Sequence, residues 1–179
     1  MKMKLLFLLF ICGVLTLQVQ AQNARFDIPE LTPAKQVKAD GLVQPYLDDF
    51  IAQCKKYGIE YHDKLFELKE IAVVDTLTVS PKGGTLGMLV RDDNKKVEKI
   101  IFSWMTLLDK EILKVVAFHE FGHYFLGYKH TCHDCNTIMA AVNSSYFDII
   151  KDWDYHVEKL FLESPEYLNR QNIIALKVD

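Results

Sequence analysis

Residues 115–130 read VVAFHEFGHYFLGYKH, and His119 and His123 stand four apart inside that apolar run. The spacing carries structural meaning on a helix, where residues i and i+4 lie one above the other on the same face. The flanks supply such a helix. Asp109 suits an N-cap, Glu111 falls in the first turn, Ile112, Val115, Val116 and Phe118 build an apolar face, and Gly127 stands where a C-cap glycine belongs. A helix over residues 109–126 is therefore predicted. Gly122 inside it costs about 1 kcal/mol relative to alanine, which predicts a close backbone approach there, with the sheet as the expected neighbour.

On that helix His119 and His123 can present imidazole nitrogens to one tetrahedral Zn2+. Glu120 is rotated about 100° from His119, which keeps its carboxylate out of the ligand set but beside the open coordination position. A carboxylate there suits a general base that takes a proton from an activated water and later delivers it to a leaving amine.

Beyond His123 the chain continues with Gly127, His130 and Met139, giving HExxHxxxGxxH followed by Asn136, Thr137, Ile138 and Met139. This resembles the metzincin clan of zinc peptidases, whose HExxHxxGxxH signature precedes a methionine-containing turn beneath the metal. The interval from His123 to the glycine is one residue longer here, and no tyrosine stands two residues after Met139. The resemblance implies His130 as third ligand, Met139 as the Met-turn methionine and a peptide or protein as substrate. His133, Asp134 and Glu158 remain rivals for the third position. Glu158 would make the site similar to that of the gluzincins, where a glutamate on a later helix completes the coordination. A non-catalytic secreted module ordered by zinc is the reading from another class.

The fold implied is α+β: a small zincin-like domain with a short mixed, twisted sheet packed on an N-terminal helix and the active-site helix, and a C-terminal helix under the Met-turn. In that clan an edge strand antiparallel to its neighbour borders the cleft, and residues 85–91 are the expected counterpart. Substrate would add to it as one more strand.

The N-terminus reads as a secretory signal peptide. Lys2 and Lys4 precede an apolar run over residues 5–17, and Val19, Gln20 and Ala21 suit cleavage after residue 21. The run is shorter than the ~20 apolar residues that span a bilayer. One domain over residues 22–179 is expected, with its core at about 43–163, in a secreted, periplasmic or cell-envelope setting and as a monomer. Residues 22–179 carry 19 basic against 24 acidic side chains, so nothing steers the chain towards nucleic acid or anionic lipid. A chain of 179 residues that is 50% hydrophobic can bury a core without a metal to hold it, which makes zinc a working part.

Three cysteines lie beyond the leader. Cys54 falls on the apolar face of a predicted helix and reads as a small buried hydrophobe. Cys132 and Cys135 form CxxC between His130 and Met139. A local disulfide is the first expectation in an oxidising compartment. The rival is a second zinc held by Cys132, His133 and Cys135, similar to the cysteine-rich site of archaemetzincins, whose further cysteine pair this chain lacks.

In chain order, residues 22–40 read as an extended lead-in. Val43, Leu47, Phe50, Ile51 and Cys54 recur at helical spacing, with Pro45 in the first turn and Gly58 as C-cap. Residues 71–74 suit a buried strand, 80–84 a loop, 85–91 a strand, 92–95 a turn and 97–103 a strand, the last two strands forming a hairpin. Residues 140–148 are mixed, with Asn143, Ser144 and Ser145 marking a loop. Trp153, His156, Val157, Leu160 and Phe161 share one face of a helix ended by Ser164 and Pro165. His62 and His156 read as ordinary histidines. Residues 167–179 suit either a short strand through 173–178 or a surface segment.

Overall fold

Hydrogen bonding in the computed structural model joins four strands in the order β1–β2–β6–β5: β1 (Lys38–Ala39), β2 (Glu70–Val74), β5 (Gly87–Arg91) and β6 (Val97–Ser103). The structure describes residues 37–80, 83–142 and 146–176. The expected signal peptide, most of the lead-in and the loop at Asn143, Ser144 and Ser145 lie outside the described residues. β1, β2 and β6 run parallel, and β5 runs antiparallel to β6 from Gly87 opposite Phe102 to Arg91 opposite Val97. The sheet is thus mixed, and β5 is its edge beside the predicted active-site helix.

Parallel β1 and β2 require a crossover, which α1 (Gln44–Tyr57) and α2 (His62–Glu67) provide. α1 is the helix expected from the 43–54 periodicity. α2 has no fully buried residue, so it left no apolar period to read. Within 80–84, expected as a loop, Ser80 and Gly83–Gly84 carry strand pairing: β3 (Val79–Ser80) and β4 (Gly83–Gly84) run antiparallel over two residues each. The β5–β6 hairpin lies at the expected residues, and Lys38–Ala39 turns the end of the lead-in into an edge strand paired with β2.

A 3-10 helix (Trp104–Leu108) leads from β6 into α3 (Lys110–Phe125), and α4 (Tyr146–Lys151), α5 (Trp153–Leu162) and α6 (Pro165–Ala175) follow. Phe50 of α1 is the hub of the core. Its ring lies 5.2 Å from Phe118, 5.4 Å from Phe121 and 5.7 Å from Phe125 of α3, and 5.1 Å from Phe161 of α5. Aromatic contacts of this kind add about 0.5–1.5 kcal/mol each beyond the area they bury, so α1, α3 and α5 are locked together around one side chain.

Two stretches after residue 140 resolve as helices. α4 stands in a stretch that read as mixed. Residues 165–175, in a region left open between a short strand and a surface segment, form the helix α6: the Ser164 hydroxyl accepts from Tyr167 N at 3.1 Å, and Pro165 occupies the first turn. The pair that ends α5 therefore also begins α6, proline being well suited to a first turn. Among the described residues no helix is long and apolar enough to cross a membrane.

Candidate metal centre

α3 is set at both ends by side-chain and backbone chemistry. The Asp109 carboxylate accepts from Glu111 N at 2.7 Å and Ile112 N at 3.4 Å. At the other end Gly127 adopts φ +73°, a left-handed conformation that glycine adopts without a Cβ penalty. Tyr128 N returns to Gly122 O at 3.3 Å, and the chain folds back along its own helix so that His130 arrives over His123 and His119.

The three imidazoles meet. His123 Nε2 lies 3.0 Å from His119 Nε2, and His119 Nε2 lies 3.2 Å from His130 Nε2; the three candidate ligand atoms all lie within 4.8 Å of one another. The opposite ring nitrogens of the two helical histidines are anchored on backbone carbonyls. His119 Nδ1–H donates to Ile138 O at 2.7 Å, and His123 Nδ1–H donates to Tyr128 O at 2.8 Å. Since a carbonyl only accepts, Nδ1 carries the proton and each Nε2 presents a lone pair to the shared point.

Burial holds both rings in that neutral form. It presses the His119 pKa down to about 4, against the Ile138 hydrogen bond, and the neighbouring His123 and His130 add to the depression. Burial likewise lowers His123, opposed by its bond to Tyr128 O and aided by His130. Two lone pairs facing each other at 3.0 Å repel unless a cation lies between them. Imidazole nitrogens around a tetrahedral transition metal stand about 3.3 Å apart, close to the two spacings found. The donor set therefore fits a metal ion.

Glu120 points from the same helix turn towards the sheet. It is 6% exposed, and among the described residues its carboxyl has no hydrogen bond or ion pair. Desolvation raises its pKa to about 7. The room for it comes from Gly87 on edge strand β5, where a Cβ would stand 2.6 Å from Glu120 Cγ and 2.7 Å from Oε1.

Met139, expected beneath the site, is 1% exposed and sits against Gly122. The close approach expected at that glycine comes from this side chain, not from the sheet. Between His130 and Met139 the chain forms a closed loop: Thr131 N donates to Met139 O at 3.0 Å, Ala141 N to Cys132 O at 2.9 Å, and Cys132 and Cys135 form a disulfide. That bond replaces the second zinc considered for Cys132, His133 and Cys135. Cys54 is a buried free thiol, as expected.

The rivals for the third ligand do not join the cluster. Glu158 lines a separate cavity of about 450 Å3 with Asp49, Lys56, Lys114 and Trp153, and the group placed to hold an ion comprises His119, His123 and His130 alone among the described residues. Sequence reasoning missed the Gly87–Glu120 approach and the two carbonyls that orient the rings. Backbone acceptors carry no residue identity, so no sequence signal could have marked Ile138 or Tyr128.

No protein-family model, curated protein or solved structure matches the chain.

Proposed function

We propose that the chain is a secreted, metzincin-like zinc peptidase. The observation that carries this reading is the convergence of three histidine Nε2 atoms on one helix-and-loop site with the buried, unpartnered carboxyl of Glu120 on the adjoining turn. A structural metal site has no use for that carboxyl, and a buried polar group without a partner costs about 1–3 kcal/mol. Its retention is explained by work at the site.

Three imidazoles without a thiolate suit zinc, and three protein ligands leave a fourth position for chemistry. His119, His123 and His130 would hold the ion, which when bound supplies a Lewis acid and lowers the pKa of water towards neutrality. Glu120, whose pKa near 7 matches neutral working conditions, takes the proton of the attacking water and gives it to the departing amine nitrogen. Edge strand β5 offers main-chain groups to an extended peptide, which binds by strand addition and brings its scissile carbonyl to Gly87 and Glu120.

The test is a pair of variants read for both zinc content and peptide hydrolysis. Glu120→Gln is expected to keep the metal and lose hydrolysis by a factor of about 10²–10⁴, and His123→Ala to lose both. Full turnover by a zinc-replete Glu120→Gln protein would overturn the proposal.

A further inference from the structure

The disulfide Cys132–Cys135 forms one wall of a cavity of about 230 Å3, and His156, Lys159 and Glu163 from α5 and its C-terminal cap line the same space. His156 is 8% exposed, and among the described residues its ring makes no hydrogen bond. A buried imidazole in that state calls for a partner inside the cavity. Lys159 and Glu163 are exposed at the cavity rim and form no ion pair with each other or with any other described residue. One cavity thus combines an S–S bond, a proton acceptor, a cation and an anion.

We propose that this cavity is a thiol–disulfide exchange site for a small zwitterionic thiol, an α-amino acid carrying a sulfhydryl group. Lys159 takes its carboxylate, Glu163 its ammonium, and its sulfur faces Cys132 and Cys135. Burial lowers the His156 pKa, opposed by Asp152 and aided by Lys159, so at neutral pH the ring has a lone pair free to accept a proton.

The step balances without any further reactant. His156 accepts the proton of the incoming thiol, the resulting thiolate attacks one cysteine sulfur, and the Cys132–Cys135 bond breaks. The other cysteine leaves as thiolate and takes the proton back from His156, leaving a mixed disulfide and one free thiol. A second molecule of the same thiol attacks the mixed disulfide, releases its own symmetrical disulfide and leaves both cysteines reduced. Two thiols are oxidised and one protein disulfide is reduced. Cys54 cannot serve as the internal nucleophile, because it is fully buried in α1 and its thiol is held at a pKa of about 12.

The experiment follows the disulfide itself and so stands apart from any metal or peptidase assay. The whole protein is exposed at neutral pH to cysteine, mercaptoethanol or mercaptoacetate at matched thiolate concentration, quenched by acid and alkylation, and read by peptide mass spectrometry at Cys132 and Cys135. With cysteine the rate is expected to saturate and, below saturation, to exceed that with mercaptoethanol by about tenfold, the advantage of a bound nucleophile. Lys159→Gln, an exposed position that leaves folding intact, should abolish both the saturation and the advantage. Adduct formation in linear proportion to thiolate, equal for all three reagents, would mean a merely accessible disulfide and overturn the proposal. So would resistance to cysteine until denaturant is added, which would leave His156 bonded to water alone.

Discussion

A Cβ at Gly122 would stand 2.7 Å from Met139 Sδ, so the helix that carries two histidines and the loop that returns the third are keyed together at one atom. Gly122→Ala sets a gain in helix propensity of about 1 kcal/mol against overpacking of about 1–3 kcal/mol. Met139 is almost fully enclosed, so the second effect is expected to win, with a lowered melting temperature. Met139→Ala alone should cost about 2–5 kcal/mol. In the double variant the new Cβ occupies part of the space the methionine leaves, so its loss should be smaller than the sum of the two single losses. Calorimetric stabilities of the four proteins close the cycle, and strict additivity would contradict the contact.

Gly87 and Glu120 meet as closely, across the sheet–helix boundary. An added methyl there presses first on the Glu120 carboxyl, whose atoms are its three nearest neighbours. Gly87→Ala is therefore expected to keep its metal while peptide hydrolysis falls by about 10- to 100-fold, the scale of loss when a catalytic group is displaced by an ångström. Equal loss of metal content and hydrolysis would show that the strand supports the ligands instead.

How much of this was legible in sequence depends on whether a feature leaves a pattern of side chains. α3 was read to within a residue because Asp109 and Gly127 bracket it and both ends close through them. α1 and the β5–β6 hairpin had buried faces with clear periods. α6 was left open between a short strand and a surface segment because Ile173 and Ile174 look like strand residues yet are exposed on the helix, and because the Ser164–Pro165 stop is equally a start. His130 was expected only through the resemblance to the metzincin signature, with His133, Asp134 and Glu158 left as rivals. The carbonyls of Ile138 and Tyr128, which fix the two ring tautomers, belong to loop geometry that only the fold determines.

The loop that carries one of those carbonyls also carries the third ligand, and its disulfide spans only Cys132 to Cys135. A loop this small stabilises the fold by about 2 kcal/mol in the chain-entropy account. Replacing both cysteines by serine should therefore lower the melting temperature only moderately. Its larger effect is expected on the metal: freeing residues between His130 and Ile138 should weaken affinity by about 10- to 100-fold, as loss of ligand support does elsewhere. Competition titration with a chromogenic chelator reads that affinity directly, and an unchanged value would uncouple the loop from the centre.

Cys54 supplies a pH dependence remote from the metal. Burial raises its thiol pKa from the usual 9.0 to about 12, with Lys64 and a backbone hydrogen bond opposing the shift. The sign follows from proton counts. Below pH 9.0 the thiol is protonated in both folded and unfolded chains and its contribution is fully present; between 9.0 and about 12 the unfolded chain releases the proton while the folded chain keeps it. Stability is thus lost as pH rises through that window, by about 1.4 kcal/mol per pH unit for this one group. Tyr124 and Tyr146 are raised by burial and shift stability in the same direction, so the comparison that isolates the thiol is wild type against Cys54→Ala. The variant should start less stable at neutral pH because of its cavity, and the gap should narrow as the pH climbs above 9.0. Denaturant midpoints across that range provide the measurement, and parallel curves for the two proteins would show that Cys54 ionises in the folded chain as readily as in the unfolded one.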